Sequence, residues 1–254
     1  SYRFPRELLD REIDSILSLG ITVHTEVDVG KDIPFEELRS KYDSVYISIG
    51  AHTDKKTGIP GEDSHGVVSA VEMLRAIGDN EMPDFTGKKV VVIGGGNVAM
   101  DVTRSSVRLG AEKVSCVYRR REEDMTALPE EVEGAVAEGV ELLTLMAPVR
   151  IEADENGRAV ALWVQPQMPG DIRSGRPVPK AADQKEIRIP ADIVVVAIGQ
   201  GIETNSFEHA GIPIHRGTID ALSDSKLAKA DMEGIFAGGD CVTGPASATK
   251  AIAA

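Results

Sequence analysis

The apolar positions of the first fifty residues change their period repeatedly. In "PRELLDREIDSILSLG", Leu8, Leu9, Ile13, Ile16 and Leu17 recur at helical spacing, and Gly20 stands where a C-terminal cap belongs. "ITVHTEVDVG" alternates as a strand does, "PFEELRSKY" returns to the helical period, and "DSVYISIG" is a short apolar run closed by glycine, the mark of a buried strand. Helix, strand, helix, strand predicts an α/β architecture.

The same reading continues to the end of the chain. "IPGEDSHG" is a loop, read as a crossing point between domains, and "VVSAVEMLRAIGD" is helical. "GKKVVVIGGGNVAMDVTRSSVRLGAEKVSCVYRRR" then gives strand, glycine turn, helix and strand over the length of a parallel βαβ unit. After the helix "PEEVEGAVAEG", two alternating runs flank Asn156-Gly157, which predicts a hairpin and an antiparallel flap. "GDIRSGRPVPKAADQ" reads as an exposed loop. "KEIRIPADIVVVAIGQG" reads as a strand pair whose second member is apolar enough for a sheet centre. "GIPIHRGTID" and "GIFAGGD" add short strands. "YDSVYISIG" and "ADIVVVAIG" share an acidic start, a hydrophobic run and a glycine stop, as equivalent strands of two related domains would; chance likeness of buried strands explains it equally well.

Composition narrows the classes. The 254 residues suffice for two modest units, each with its own core, and 42% hydrophobic with 27% charged content is that of an ordinary globular chain. A formal charge of -13 opposes nucleic acid and anionic lipid as partners. No apolar run approaches the ~20 residues that span a bilayer, and the opening residues lack the apolar core of a signal peptide. These features predict a cytoplasmic protein with no membrane and no nucleic-acid partner. Cys116 and Cys241 are far apart and in no C-x-x-C pair, so they read as buried small hydrophobes. The five histidines are scattered without metal-ligand spacing, and His52, after a strand, reads as capped or exposed. No metal site is expected. Hydrolytic and phosphoryl-transfer signatures are absent from the sequence.

The chemistry is carried by "VVVIGGGNVAMD". Gly94, Gly96 and Ala99 fit G-x-G-x-x-[GA] between a strand and a helix: the first glycine permits the tight turn, the second leaves no Cβ between backbone and a pyrophosphate, and the alanine lets helix and strand approach. The backbone of Gly95, Asn97 and Val98 completes the candidate phosphate cradle at the positive helix end. A glycine turn that binds nothing is the bland alternative. The second strand ends in Arg119, Arg120 and Arg121, where an acidic residue would contact the ribose 2′-hydroxyl of NAD; guanidinium groups there suit a 2′-phosphate and favour NADPH over NADH. Against this, the arginines followed by Glu122, Glu123 and Asp124 also read as a self-neutralised surface turn; Arg119 and Arg120 are better candidates than Arg121. Gly199 and Gln200, after "VVVAIG", stand where α/β proteins place ligand contacts. Asp101 reads as structural, and Arg104 with Arg108 as a solvated helix face.

The glycine segment, "VYRRREEDMTALPEEVE" and the terminal "IFAGGDCVTGPASATKAIAA" together resemble the small (beta) subunit of NADPH-dependent glutamate synthase and its relatives, including the matching portion of dihydropyrimidine dehydrogenase and the NADPH-binding subunits of ferredoxin-linked transhydrogenases. The resemblance runs over essentially the whole chain. It implies a Rossmann-like NAD(P)-binding domain inserted in an incomplete FAD-binding domain, of the flavoprotein type with two dinucleotide-binding domains. Residues 1–80 and 199–254 would be the flavin segments, and 81–198 the NAD(P)H domain with its flap. By resemblance Asp240 would hydrogen-bond FAD, Gly239 would permit its close approach, and backbone amides near Ala251 would face the flavin ring. Hydride would pass from NADPH to FAD, and electrons on to iron-sulfur clusters lying outside this chain and to a larger catalytic subunit or ferredoxin-type acceptor. The cofactors carry that chemistry, so no catalytic side chain is named. The resemblance further implies a piece lacking the iron-sulfur segment and first FAD-binding unit, with an incomplete C-terminus. Such a piece would be colourless, with FAD weakly held or absent, and inactive alone. A non-catalytic NAD(P)H-sensing domain is the alternative function.

Overall fold

The structure, a computed structural model, describes residues 5–173, 175–228 and 231–254. In chain order its helices are α1 (Arg6–Leu17), α2 (Phe35–Lys41), α3 (Ala70–Gly78), α4 (Asn97–Arg108), α5 (Pro129–Ala137), α6 (Asn205–His209), α7 (Asp240–Thr243) and α8 (Ala248–Ile252). Its strands are β1 (Val45–Ile47), β2 (Thr53–Asp54), β3 (Val67–Ser69), β4 (Lys89–Ile93), β5 (Lys113–Val117), β6 (Glu141–Leu143), β7 (Met146–Ala153), β8 (Ala159–Arg173), β9 (Arg176–Ala181), β10 (Ile187–Pro190), β11 (Ile193–Val196), β12 (Gln200–Gly201), β13 (Ile214–His215), β14 (Thr218–Ile219) and β15 (Ile235–Ala237). They fall into two compact units, Ser1–Thr53 with Gln200–Ala254, and Asp54–Gly199.

The continuous unit is built on a five-stranded parallel sheet in the order β3-β11-β4-β5-β6. Val90, Val91, Val92, Val194 and Val195 are at most 1% exposed, as strands covered on both faces require. On one face Ala99, Met100 and Val102 of α4 pack with Met73 of α3 and with Val132 and Ala135 of α5. On the other, Ile151, Leu162 and Val164 of the antiparallel flap β10-β8-β7 pack on Val91, Ile93, Val117 and Val194. The chain leaves β4 toward β5 on one side and later returns as β11 on the other, so the C-terminal end of β4 is a topological switch point.

The first boundary differs from the expected 80/81. β3 pairs in parallel with β11 and Met73 of α3 enters the sheet's core, so residues 54–80 belong to the continuous unit. "IPGEDSHG" accordingly lies inside that unit. The expected exposed loop at 170–184 is, apart from Ser174, largely strand: β8 runs on to Arg173 and β9 pairs back on it. Alternation was concealed there by prolines and glycines, which edge strands and bulges accommodate. β10 and β11 are not a pair; β10 joins the flap and β11 the parallel sheet.

The discontinuous unit has the parallel pair β1-β15, with Val45 opposite Ile235 and Ile47 opposite Ala237. Phe35, Phe207, Ile212, Ile219, Met232 and Cys241 pack around it, the two phenyl rings edge to face at 5.8 Å. "ITVHTEVDVG" is not a strand here: only an isolated bridge joins Val29 and Ile33, because the alternating run meets no ladder partner among the described residues. The apolar stripe of α1 buries no residue. No helix among the described residues is long and apolar enough to cross a membrane.

Candidate functional site

In the continuous unit the glycine turn joins β4 to α4. Gly94 donates its N–H to the Val117 carbonyl of the neighbouring strand, which fixes the turn to β5. A Cβ on Gly94 would be driven into the Ala197 carbonyl, one on Gly95 would stand 2.5 Å from Cε2 of Tyr118, and one on Gly96 would stand 3.2 Å from Oγ1 of Thr126. The packing of the turn itself therefore excludes a side chain at Gly94 and Gly95, which are buried, and crowds one at Gly96, which is half-buried. Gly96 caps α4 with extended backbone and no side-chain hydrogen bond, so the first-turn amides of Asn97, Val98 and Ala99 have no intrahelical acceptor. Their positive helix end is the polarity a diphosphate requires. Ala99 is fully buried, which lets α4 lie close on the sheet.

Two features of this turn were not evident from the sequence. The Asn97 side chain accepts from the Leu128 N–H at 2.9 Å and so ties the start of α4 to the start of α5, a structural task beside its backbone role. Gly95, a free position in the motif, is enclosed: Thr126 and Ala127 donate their N–H groups to its carbonyl at 2.9 and 3.1 Å, and the buried Tyr118 ring lies against it. No periodicity or spacing announces a ring stacked on a turn 23 residues earlier.

The arginines following β5 have three different settings. Arg121 pairs with Asp124 at 2.8 Å and with Glu123 at 2.8 Å, and the guanidinium holds the Asp124 carboxyl below its usual range. For Arg121 the self-neutralised reading is right. Arg120 is half-buried and its Nε donates to the Pro177 carbonyl at 3.1 Å. Arg119 is exposed, and among the described residues it meets no carboxylate. It follows directly on Tyr118, whose ring packs against Gly95. Arg104 and Arg108, expected on a solvated face, instead clamp α4 to α5: Arg104 bonds Glu131 at 2.8 Å and Glu138 at 2.9 Å, and Arg108 bonds Glu138. Hydrogen bonds from Arg108 and then Arg104 hold the Glu138 carboxyl low.

Gly199 ends the continuous unit just after β11, and a Cβ there would lie 3.6 Å from Cδ of Lys55; Gln200 opens the other unit. Within that unit, "GGD" makes a tight turn from β15 into α7. Gly239 has φ of 73°, a conformation that disfavours any side chain, and its missing Cβ would sit 3.4 Å from the Ala251 carbonyl. Asp240 Oδ1 is buried without a hydrogen-bond partner among the described residues. A buried carboxylate oxygen left unpaired is costly, and a ligand hydroxyl or amide would satisfy it. The Ala251 N–H, in the stretch expected to face the flavin ring, bonds the Ser247 carbonyl at 3.0 Å. Both thiols are buried; desolvation pushes Cys116 up to about 12 and raises Cys241. Among the described residues no cluster of three His, Cys, Asp or Glu side chains could hold a metal ion.

Residues 8–254 match the family described as pyridine nucleotide-disulphide oxidoreductase. Among the similar proteins, the NADP(+)-dependent formate dehydrogenase subunit beta of Moorella thermoacetica is 38% identical over all of this chain and 36% of its own length. The NADPH-Fe(3+) oxidoreductase subunit beta of Geobacter sulfurreducens is 35% identical over 99% of this chain and 41% of its own. The glutamate synthase [NADPH] small chain of Escherichia coli is 33% identical over all of this chain and 57% of its own length. The chain thus spans about a third to just over half of these relatives. In fold it is similar to Mycobacterium tuberculosis FprA, solved in complex with NADPH, with a TM-score of 0.71 at 22% identity, over 89% of this chain and 64% of that one. It is also similar to Lactococcus lactis thioredoxin reductase, with a TM-score of 0.64 at 20% identity over 83% and 61% of the two chains. The glycine turn at the switch point of a parallel sheet is thus joined to a match over nearly every residue, and the chain belongs to the pyridine nucleotide-disulphide oxidoreductase family.

Proposed function

We propose that this chain is the NADPH-binding electron-input module of a flavin-dependent oxidoreductase, resembling the glutamate synthase beta subunit. Residues 54–199 hold the dinucleotide: the amides following Gly94 and Gly96 receive its diphosphate, and Arg119 receives the 2′-phosphate. One observation carries the NADPH assignment: among the described residues Arg119 is left without a counter-ion while Arg121, two residues on, is fully paired. A guanidinium there offers a 2′-phosphate two parallel hydrogen bonds and an opposing charge.

FAD fits the other unit. The buried, unpartnered Asp240 Oδ1 and the Cβ-free turn at Gly239 supply an acceptor and a close backbone approach suited to its ribityl or pyrophosphate region. When bound, the flavin supplies the hydride acceptor; the protein's own part is to bind, orient and desolvate. Three of the relatives named above are NADP(+)- or NADPH-linked by name, which supports the same reading. Electrons then leave by way of iron-sulfur clusters toward a larger catalytic subunit or a ferredoxin-type acceptor. The acidic composition and the two unpaired, buried thiols favour a cytoplasmic setting.

Calorimetric titration tests the proposal. NADPH should bind more tightly than NADH, and Arg119→Ala should remove roughly 1.5–3 kcal/mol of that preference, the range for hydrogen bonds to charged groups, or one to two decades of affinity. Equal losses for both cofactors would overturn the 2′-phosphate assignment.

A further inference from the structure

The β8–β9 hairpin reaches the arginine turn from a distant part of the sequence. Arg120 is tied to it directly by its side chain and, through Leu145, indirectly by its backbone. Its Nε donates to the Pro177 carbonyl of β9 at 3.1 Å, and its own carbonyl accepts the Leu145 N–H at 2.9 Å. The Leu145 carbonyl in turn accepts the N–H of Gln167, in β8, at 2.7 Å. Leu145 has φ of 56°, a conformation that a leucine rarely adopts and that persists only where its surroundings impose it. The geometry around Arg120 is therefore that of a strut.

A second observation concerns charge. Arg173 and Arg176 are directly opposite each other across the hairpin, an arrangement of like charges that weakens strand pairing. No carboxylate pairs with either among the described residues, whereas Arg104, Arg108, Arg121, Arg150 and Arg188 each meet one. Arg176 adjoins Pro177, so its Cα lies about 3.8 Å from that of the residue Arg120 grips. The chain has 41 acidic and 28 basic residues, yet here it gathers unpaired cations around one strut. An anion of more than one charge would reconcile them.

Resting on the NADPH reading above, we propose that the β8–β9 hairpin is the second wall of the 2′-phosphate site. Arg176 supplies a cation to the same phosphate as Arg119, and Arg120 is a positioning residue that joins the two walls. Calorimetric titration of the 254-residue chain with 2′,5′-ADP and with 5′-AMP isolates this recognition from the nicotinamide. Arg176→Ala and Arg176→Gln should each weaken 2′,5′-ADP about tenfold and leave 5′-AMP unchanged, while Arg158→Ala, at an exposed arginine elsewhere, should alter neither. Arg120→Ala should reduce the same preference without changing the salt dependence as much as Arg176→Ala does, since it removes alignment and not a phosphate contact. If Arg119→Ala lowers the preference and both Arg176 variants leave it intact, the hairpin is not part of the site and the NADPH reading stands. If the unaltered chain binds the two nucleotides equally, the NADPH reading itself falls.

Discussion

Gly95→Ala gives the sharpest test of the glycine turn, because the motif places no demand on that position while the structure does. Gly95 does not have positive φ, so alanine brings no backbone strain there and the cost is steric alone. Its Cβ would stand 2.5 Å from Cε2 and 2.9 Å from Cγ of Tyr118. Neither side can retreat freely. The Gly95 carbonyl is held by Thr126 and Ala127, and the Tyr118 hydroxyl donates to the Asp124 carbonyl at 2.8 Å. Overpacking of this kind costs about 1–3 kcal/mol, displacing the hydroxyl bond adds about 1 kcal/mol, and the stiffer unfolded chain returns about 0.4–1 kcal/mol. A net loss of about 1–3.6 kcal/mol should lower the unfolding midpoint by roughly 2–14 °C for a chain of this size. Calorimetric unfolding reads this directly, and NADPH affinity should fall with it because Tyr118 immediately precedes Arg119. In a Tyr118→Phe background the hydroxyl bond is already gone, so Gly95→Ala should cost about 1 kcal/mol less. A midpoint within 1 °C of the parent chain, or strict additivity in the double variant, would refute the reasoning.

Other expectations are simpler to state. Arg104→Ala leaves Glu131 and Glu138 short of a partner at the α4–α5 contact and should destabilise by about 1–3 kcal/mol, measured by denaturant unfolding. Trp163 is the single tryptophan; its Nε1 donates to Glu152 Oε2 at 2.6 Å and Arg150 lies 4.3 Å over its ring. Hydrogen bonds from Arg188 and then Trp163 bring the Glu152 carboxyl from 4.5 down to about 2. Its contribution to stability is therefore present above about 4.5 and is lost as pH falls through about 2. Tryptophan emission followed through acid titration should show that step in the parent chain and lose it in Glu152→Gln. Cys116 and Cys241 should resist alkylation at neutral pH in the folded chain and react together in denaturant; labelling of Cys116 under native conditions would contradict its burial.

The parallel sheet and the glycine turn were legible because their signals are local: an apolar run, two glycines and an alanine at fixed spacing, and a helix behind them. What escaped the sequence was set at a distance. Nothing near "ITVHTEVDVG" says that the alternation finds no partner, and nothing in "VYRRR" says which arginine meets a carboxylate, which a carbonyl and which neither. The position of β3 was likewise invisible, since its three residues earn their place only by pairing with β11 more than 120 residues later. The arm at 170–181 was obscured by its own prolines and glycines, residues that mark turns more often than strands. At the candidate flavin turn, nothing in "GGD" shows that Asp240 Oδ1 is buried, and nothing in "ASATKAIAA" shows that the Ala251 N–H is engaged by the Ser247 carbonyl.

The pairing of β1 with β15 joins Val45–Ile47 to Ile235–Ala237, with the whole of Asp54–Gly199 between them in the chain. During synthesis the first of these strands must wait for this partner until the last has left the ribosome. The intervening stretch carries its own core and can fold meanwhile, which shortens the free chain that must then be closed. Pulse-labelled hydrogen exchange on refolding should accordingly find amides of β4 and β5 protected before those of β1 and β15.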